Sequence, residues 1–376
     1  MVASSILITL TARSSSLMAS LTLAVAGSWK TQSIVDECVS LPAEQRGLVL
    51  TYTASNQAEL LQRFAGMHVA GAQTEVMGWF GFLIKHWVRP YLPLLYDQVR
   101  VKGFSFDGPD GDSARFLTGI PLYFTPDGSV YRRHLAKLAW EVNAKSRGAI
   151  FDRLSRLYDV IYIDEAQDLC GWDLELLLAM IDAGLELRLV GDTRQALLAT
   201  DERGRKHKKY KYNRIRDWFL LQEKRKRLQI TYKSQTWRCN AEIAAFSDSI
   251  FGPDAGFPRT ESMMLEASAH RGVFAIGAAD VSTYIARYKP LCLRQSANSW
   301  REFDEGFTTF GQSKGCTVDH VLICATAKIE AFAIDGSPLD NRTACGLYVA
   351  ATRAKHSVAI VMKDPQAAQF AHWYPS

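Results

Sequence analysis

Apolar residues in this chain come in short unbroken runs that stop abruptly at polar residues or glycine, and the order of these runs predicts a parallel α/β protein. Val160-Ile161-Tyr162-Ile163 is rich in β-branched types and predicts a strand buried on both faces; it ends in Asp164-Glu165-Ala166-Gln167-Asp168. Leu187-Arg188-Leu189-Val190 predicts a second such strand, ending in Gly191-Asp192-Thr193-Arg194-Gln195. Leu21 to Val25 runs into a small-residue loop, Gly47 to Asn56 is a buried run ending in hydroxyls and an amide, and Val318 to Ile323 and Val358 to Met362 are further buried runs. Between them, Arg132 to Leu157 is polar and helix-forming, and Asp107 to Asp112 is turn chemistry. Carboxylates at the carboxyl ends of consecutive parallel strands sit where open α/β sheets bind ligands.

The length of 376 residues suits two α/β domains better than one core. A net charge of +5 conceals a strong asymmetry: from Arg203 to Arg227 twelve Lys/Arg face two acids, so that window carries +10 and the remainder −5. A local surplus of this kind suits a polyanion. Seven cysteines without paired spacing predict free thiols in a reducing cytoplasm. Residues 1–18 are expected to form a loose leader; Ser16 to Gly27 could pass for a signal peptide, but the same residues are needed as the strand feeding the following loop. No stretch has the apolar length of a membrane span.

Ala24-Val25-Ala26-Gly27-Ser28-Trp29-Lys30-Thr31 follows its strand as a small-residue loop closed by Lys-Thr. Such a loop turns backbone amides toward phosphates at a helix N-terminus, with Lys30 reaching the terminal phosphates and the Thr31 hydroxyl holding magnesium. Of the strand-end acids, Asp164 would hold the metal and Glu165 would orient or deprotonate the attacking water.

These stretches resemble the UvrD/Rep-like helicases of superfamily I, whose loop reads A-x-A-G-S-G-K-T, whose Walker B signature reads D-E-x-x-D and whose third motif reads G-D-x-x-Q. Trp237-Arg238, with Ile243 five residues on, resembles the fourth motif; Ser313-Lys314-Gly315 the fifth; and Leu347 to Lys355, presenting Arg353, the last. The resemblance implies two RecA-like parallel-sheet domains, the first at 19–228 with a small helical insertion at about 85–147, the second at 229–376. It implies ATP and Mg2+ between them and single-stranded DNA, in preference to RNA, across their top. Lys30, Glu165, Gln195, Arg238 and Arg353 would be catalytic; Ala26, Gly27, Ser28, Lys30, Thr31, Lys314 and Gly315 would bind the nucleotide; and Thr31 and Asp164 would bind the metal. The implied activity is that of an ATP-dependent DNA helicase or single-stranded DNA translocase, with no membrane role.

The chain departs from that pattern in several places. Trp29 stands where the family has glycine, no glutamine-containing adenine motif precedes the loop, Thr317 replaces a common Glu, and little room remains between Arg238 and Lys314 for a large extra subdomain. These departures keep open a non-hydrolysing nucleotide- or nucleic-acid-binding subunit. For the nucleic acid, Thr53 and Asn56 resemble the L-T-F-T-N segment, although they equally fit a strand followed by a capped helix. Within the aromatic, basic stretch Met77 to Tyr96 most rings read as core, leaving Trp79 and Phe80 as an exposed platform. Lys206, Lys208, Lys209 and Lys211, interleaved with Tyr210 and Tyr212, fit a phosphate-tracking surface.

Overall fold

The computed structural model describes residues 19–66, 73–106, 108–109, 114–197, 206–266, 268–300 and 306–375. The expected leader and residues Arg203 and Arg205 of the basic run lie outside them.

Each predicted apolar run forms a strand. In chain order the first lobe contains β1 (Ala19–Ala24), β2 (Arg46–Thr51), β3 (Gln73–Gly78), β4 (Gly103–Ser105), β5 (Ser129–Tyr131), β6 (Val160–Ile163), β7 (Leu187–Gly191) and β8 (Leu228–Lys233). Six of these make one sheet of order β3-β2-β6-β7-β1-β8, with every neighbour parallel. All four residues of β6 are buried, which is why their run carries no polar alternation. Burying side chains such as Ile161, Ile163, Leu189 and Leu21 contributes about 1.5–3 kcal/mol each.

Helix α1 (Lys30–Val39) follows β1, and α2 (Ala54–Ala65) follows β2. Between β3 and β6 the chain leaves the sheet to build a helical body, whose longest pieces are the helices Arg132–Ser146 and Ala149–Leu157. Arg147 and Gly148 both adopt positive φ and break what the composition reads as one helix. The insertion therefore runs from Trp79 to Leu157, wider at both ends than the expected 85–147.

The second lobe holds β9 (Gln235–Thr236), β10 (Glu261–Ser262), β11 (Gly272–Gly277), β12 (Leu291–Arg294), β13 (Phe307–Thr309), β14 (Val318–Cys324) and β15 (Ala354–Met362). Five of them form a parallel sheet of order β11-β15-β14-β12-β13, beside the small β9-β10 pair. The fold is thus α/β with two RecA-like parallel sheets. The division expected at residue 228 falls one strand early, because β8 pairs along its whole length with β1. Among the described residues, no helix is long and apolar enough to cross a membrane.

Candidate active site

A cleft of about 680 Å³ opens where the carboxyl ends of the first sheet meet the segments that enter β14 and β15 of the second lobe. The loop after β1 forms its floor. Gly27 has φ 75°, and a Cβ there would collide with the Arg238 side chain, so glycine is required for the loop to pass beneath the second lobe. Three hydrogen bonds fix this crossing. The Thr236 hydroxyl donates to Ala26 O at 2.7 Å, the Trp237 N–H to Gly27 O at 3.0 Å, and the Ala26 N–H to the Tyr348 hydroxyl at 3.3 Å.

The polar groups of the two strand ends converge on this loop. The Thr31 hydroxyl donates to Asp164 Oδ2 at 3.0 Å, and the Glu165 N–H donates to Asp164 Oδ1 at 2.9 Å. Glu165 adopts φ 53°, a left-handed conformation in which a residue other than glycine stores strain. Burial and then the adjacent Glu165 charge push Asp164 above the usual carboxylate range. Burial pushes Glu165 the same way, but Lys314 and Lys30 outweigh it and hold Glu165 ionised, well below the usual range. Lys314 Nζ lies 2.6 Å from Asp168 Oδ2 and 3.3 Å from Glu165 Oε2.

From β7, Gln195 Nε2 donates to Asp192 Oδ2 at 3.0 Å, and the same oxygen accepts the Tyr348 hydroxyl at 2.9 Å. Arg353, 1% exposed, donates from Nη2 to Gln195 Oε1 at 3.3 Å and from Nε to Val349 O at 2.9 Å. Arg238 donates to Thr352 O at 3.3 Å. A continuous chain of hydrogen bonds therefore joins Arg353, Gln195, Asp192, Tyr348 and the Ala26 amide across the two lobes.

Unlike Lys314, three cations of this cleft lack matching anions. Among the described residues Lys30, Arg238 and Arg353 donate only to neutral oxygens. Burial lowers the Lys30 ammonium and the Arg238 guanidinium below their ordinary values, and burial with the nearby Arg238 charge takes Arg353 down to about 9. The Ser28 hydroxyl in the loop is buried with no hydrogen-bond partner among the described residues. Three desolvated cations and an orphaned donor around a cleft suit a multiply charged anion, and the Thr31–Asp164 pair supplies the hard oxygen ligands a divalent cation takes.

No protein-family profile matches this sequence, and no curated protein matches it. Among solved structures it is similar to the crystal structure of Arterivirus nonstructural protein 10 (helicase), with a TM-score of 0.47, 12% identity and coverage of 94% of this chain. It is also similar to the complex of Arterivirus nonstructural protein 10 (helicase) with DNA, with a TM-score of 0.48, 12% identity and coverage of 93%. The chain spans 62% of the length of each.

The structure brings Gly27, Ser28, Lys30, Thr31, Asp164, Glu165, Gln195, Arg238, Lys314, Gly315 and Arg353 to the one cleft, with Ala26 buried beneath it. Trp29 takes φ 60° and is 58% exposed at the rim, so the loop accommodates its indole by turning it outward. The residues expected to touch nucleic acid divide. Trp79 is not a platform: it is 1% exposed, and its Nε1 donates to Asp173 Oδ1 at 2.6 Å, which makes it a core residue. Phe80 stays half-exposed. Thr53 caps α2 by accepting the Asn56 N–H at 3.1 Å, and Asn56 lines the cleft. Lys206 is held 2.7 Å from Glu175; Lys208 and Lys209 are exposed and Lys211 is half-exposed. Sequence reasoning did not assign Tyr348 or Arg194, nor the apolar lip Met263, Met264 and Leu265. Arg63 was legible in principle, since it lies seven residues beyond Asn56 on the same face of α2.

Proposed function

We propose that this chain is an ATP-hydrolysing motor of the UvrD/Rep-like superfamily I kind, a DNA helicase or single-stranded DNA translocase working in the cytoplasm. The observation that carries the reading is the set of anion-lacking cations, buried Arg353 and half-buried Lys30 and Arg238, contributed by both lobes around the Thr31–Asp164 pair. A ligand bridging such cations couples its own charge to the closure of the lobes, which is what a nucleotide-driven motor requires.

In this reading Lys30 and the amides after Gly27 hold the phosphates, and the Ser28 hydroxyl finds its partner there. Thr31 and Asp164 would hold Mg2+, which supplies Lewis-acid stabilisation of phosphate charge. Glu165, kept ionised, orients the attacking water, and Gln195 fixes the position of Arg353. Arg238 and Arg353 stabilise the charge that develops on the transferred phosphoryl group. The test is phosphate release from ATP by the full chain, with and without single-stranded DNA. Turnover raised by the strand supports the motor, and an inert chain with either addition opposes it.

A second reading, a non-hydrolysing subunit, is favoured by Trp29 in the phosphate loop. Trp29→Gly separates the two: the motor predicts similar or modestly higher turnover, and the subunit reading predicts an inert wild type whose turnover the substitution restores.

A further inference from the structure

Of the twelve large apolar side chains that stand exposed among the described residues, four line the cleft, so exposed apolar surface is gathered at its mouth. They come from three segments: Trp29 stands in the loop after β1, Trp237 directly follows β9, and Met263 and Leu265 follow β10. The segment bearing Met263 and Leu265 is a fixed wall. The Met263 N–H donates to Thr236 O at 2.7 Å, the Met264 N–H to Ser262 Oγ at 3.3 Å, and Ser262 Oγ to Cys239 O at 2.7 Å. Leu265, 98% exposed on this anchored backbone, leaves in water an apolar surface that a bound apolar face would cover.

The rest of the cleft identifies the occupant. Its unmatched cations Lys30, Arg238 and Arg353 take a multiply charged anion, so a single molecule filling the 680 Å³ combines that anion with a flat apolar body. A nucleoside triphosphate does so. The polar side chains of the mouth are engaged elsewhere. Gln32 Nε2 donates to Asp36 Oδ1 at 2.8 Å while its Oε1 accepts Arg63 Nη1 at 2.7 Å, and Arg63 pairs with Glu59 at 2.6 Å. Lys355 Nζ lies 3.6 Å from Asp319 Oδ1, and Glu266 Oε1 lies 3.7 Å from His356 Nε2. Asn56 and Thr317 remain, and each carries both a donor and an acceptor on one rotatable group, which meets either edge pattern of a base by turning over.

We propose that the lip Met263 and Leu265, with the Trp29 and Trp237 rings, holds the base of the nucleotide without reading its edge, so that the chain takes the four ribonucleoside triphosphates alike. The proposal rests on the reading above that this cleft binds a nucleotide, and it widens the substrate from ATP to nucleoside triphosphates as a class. An apolar slot separates ligands by about 10- to 200-fold at most, whereas a site that hydrogen-bonds an edge separates them by about 10,000-fold or more. The four bases differ chiefly in their edges, so a slot that meets only their faces discriminates weakly.

The experiment is calorimetric titration of the full chain, with Mg2+, against the β,γ-imido analogues of ATP, GTP, CTP and UTP and against tripolyphosphate, which carries the charge without a base. The four analogues should bind within about tenfold of one another, the purines ahead through their larger faces, and tripolyphosphate about tenfold or more weaker. Met263→Ala/Leu265→Ala removes two side chains already in solvent, and an unchanged melting temperature verifies its fold. It should weaken all four analogues by a common factor of about 3- to 20-fold and leave tripolyphosphate as it was. A preference for one base of about 100-fold or more, tripolyphosphate bound as tightly as the analogues, or unchanged affinities in the double variant would each overturn the slot. Phosphate release from the four triphosphates, with and without single-stranded DNA, separates this failure from that of the proposed function. Strand-stimulated turnover of ATP alone, with the other three analogues failing to bind, leaves the motor without the slot; four analogues bound alike by a chain that hydrolyses none leave the slot without the motor.

Discussion

Arg194 is one of the cations that tie the two lobes together, and its removal offers a quantitative check on how the cleft is held. Its Nη1 donates to Asp248 Oδ1 at 2.8 Å and reaches Thr260 Oγ1 at 3.5 Å, both in the second lobe, while Nε lies 3.5 Å from Asp192 Oδ1 in the first. Its guanidinium sits 4.6 Å from the Tyr348 ring centre and 5.3 Å from that of Phe257. Burial opposes its charge, but Tyr348, Asp192 and Asp248 together hold it protonated and above the ordinary arginine value.

Arg194→Met keeps the apolar stem and deletes the charge. The lost charge-assisted bond to Asp248 is worth about 1.5–3 kcal/mol, and the desolvated ring contacts add about 1–2 kcal/mol. Asp192 keeps the Gln195 and Tyr348 donors, and Asp248 is partly solvated, so neither acid is left wholly unpaired. The expected loss is therefore about 3–4 kcal/mol, near the lower end of what breaking a buried pair costs. Urea unfolding followed by tryptophan fluorescence measures it, and a double-mutant cycle with Asp248→Asn should return a coupling of about 1.5–3 kcal/mol. A loss below about 1 kcal/mol would refute the reasoning and place the inter-lobe tie elsewhere.

The remaining predictions concern pH and the basic run. His270 stacks on Tyr288 and Phe274 with centroids 3.8 and 4.6 Å away, and burial, then His320 and Arg287, lower its imidazole to about 4. Because the folded value lies below the unfolded one of about 6.5, the unfolded chain binds the proton first; stability is full above pH ~6.5 and falls as the pH drops toward 4. His270→Gln should flatten that slope in urea titrations, and identical slopes would remove His270 from the acid response. Replacing Lys206, Lys208, Lys209 and Lys211 with Ala should weaken strand binding and flatten its salt dependence, with Lys206 contributing least because Glu175 already holds it. Unchanged affinity and slope would make the run a solvated loop.

Legibility followed the physical origin of each signal. Strands β1, β2, β6, β7, β14 and β15 could be read because a strand covered on both faces must be apolar throughout. Edge strand β3 escaped because Gln73–Gly78 is half-buried and has no such run. The cleft was legible in unusual detail because loop glycine, Lys-Thr and strand-end acids act through local chain geometry. Trp79 was misread because ring density does not distinguish a core indole from an exposed one; its partner Asp173 lies 94 positions away. Tyr348 was hidden in the same way, since the Asp192 contact that defines its role spans 156 positions.

The central claim is that Asp164, Glu165 and the converging cations form a site for ATP hydrolysis, and Glu165→Gln tests it most directly. The substitution keeps the side-chain volume and removes the charge that orients water, leaving Lys30, Thr31 and Asp164 in place. With ATP binding followed by nucleotide fluorescence and turnover by phosphate release, binding should be retained while turnover falls about 100-fold or more. Turnover equal to that of the unsubstituted chain would contradict the assignment.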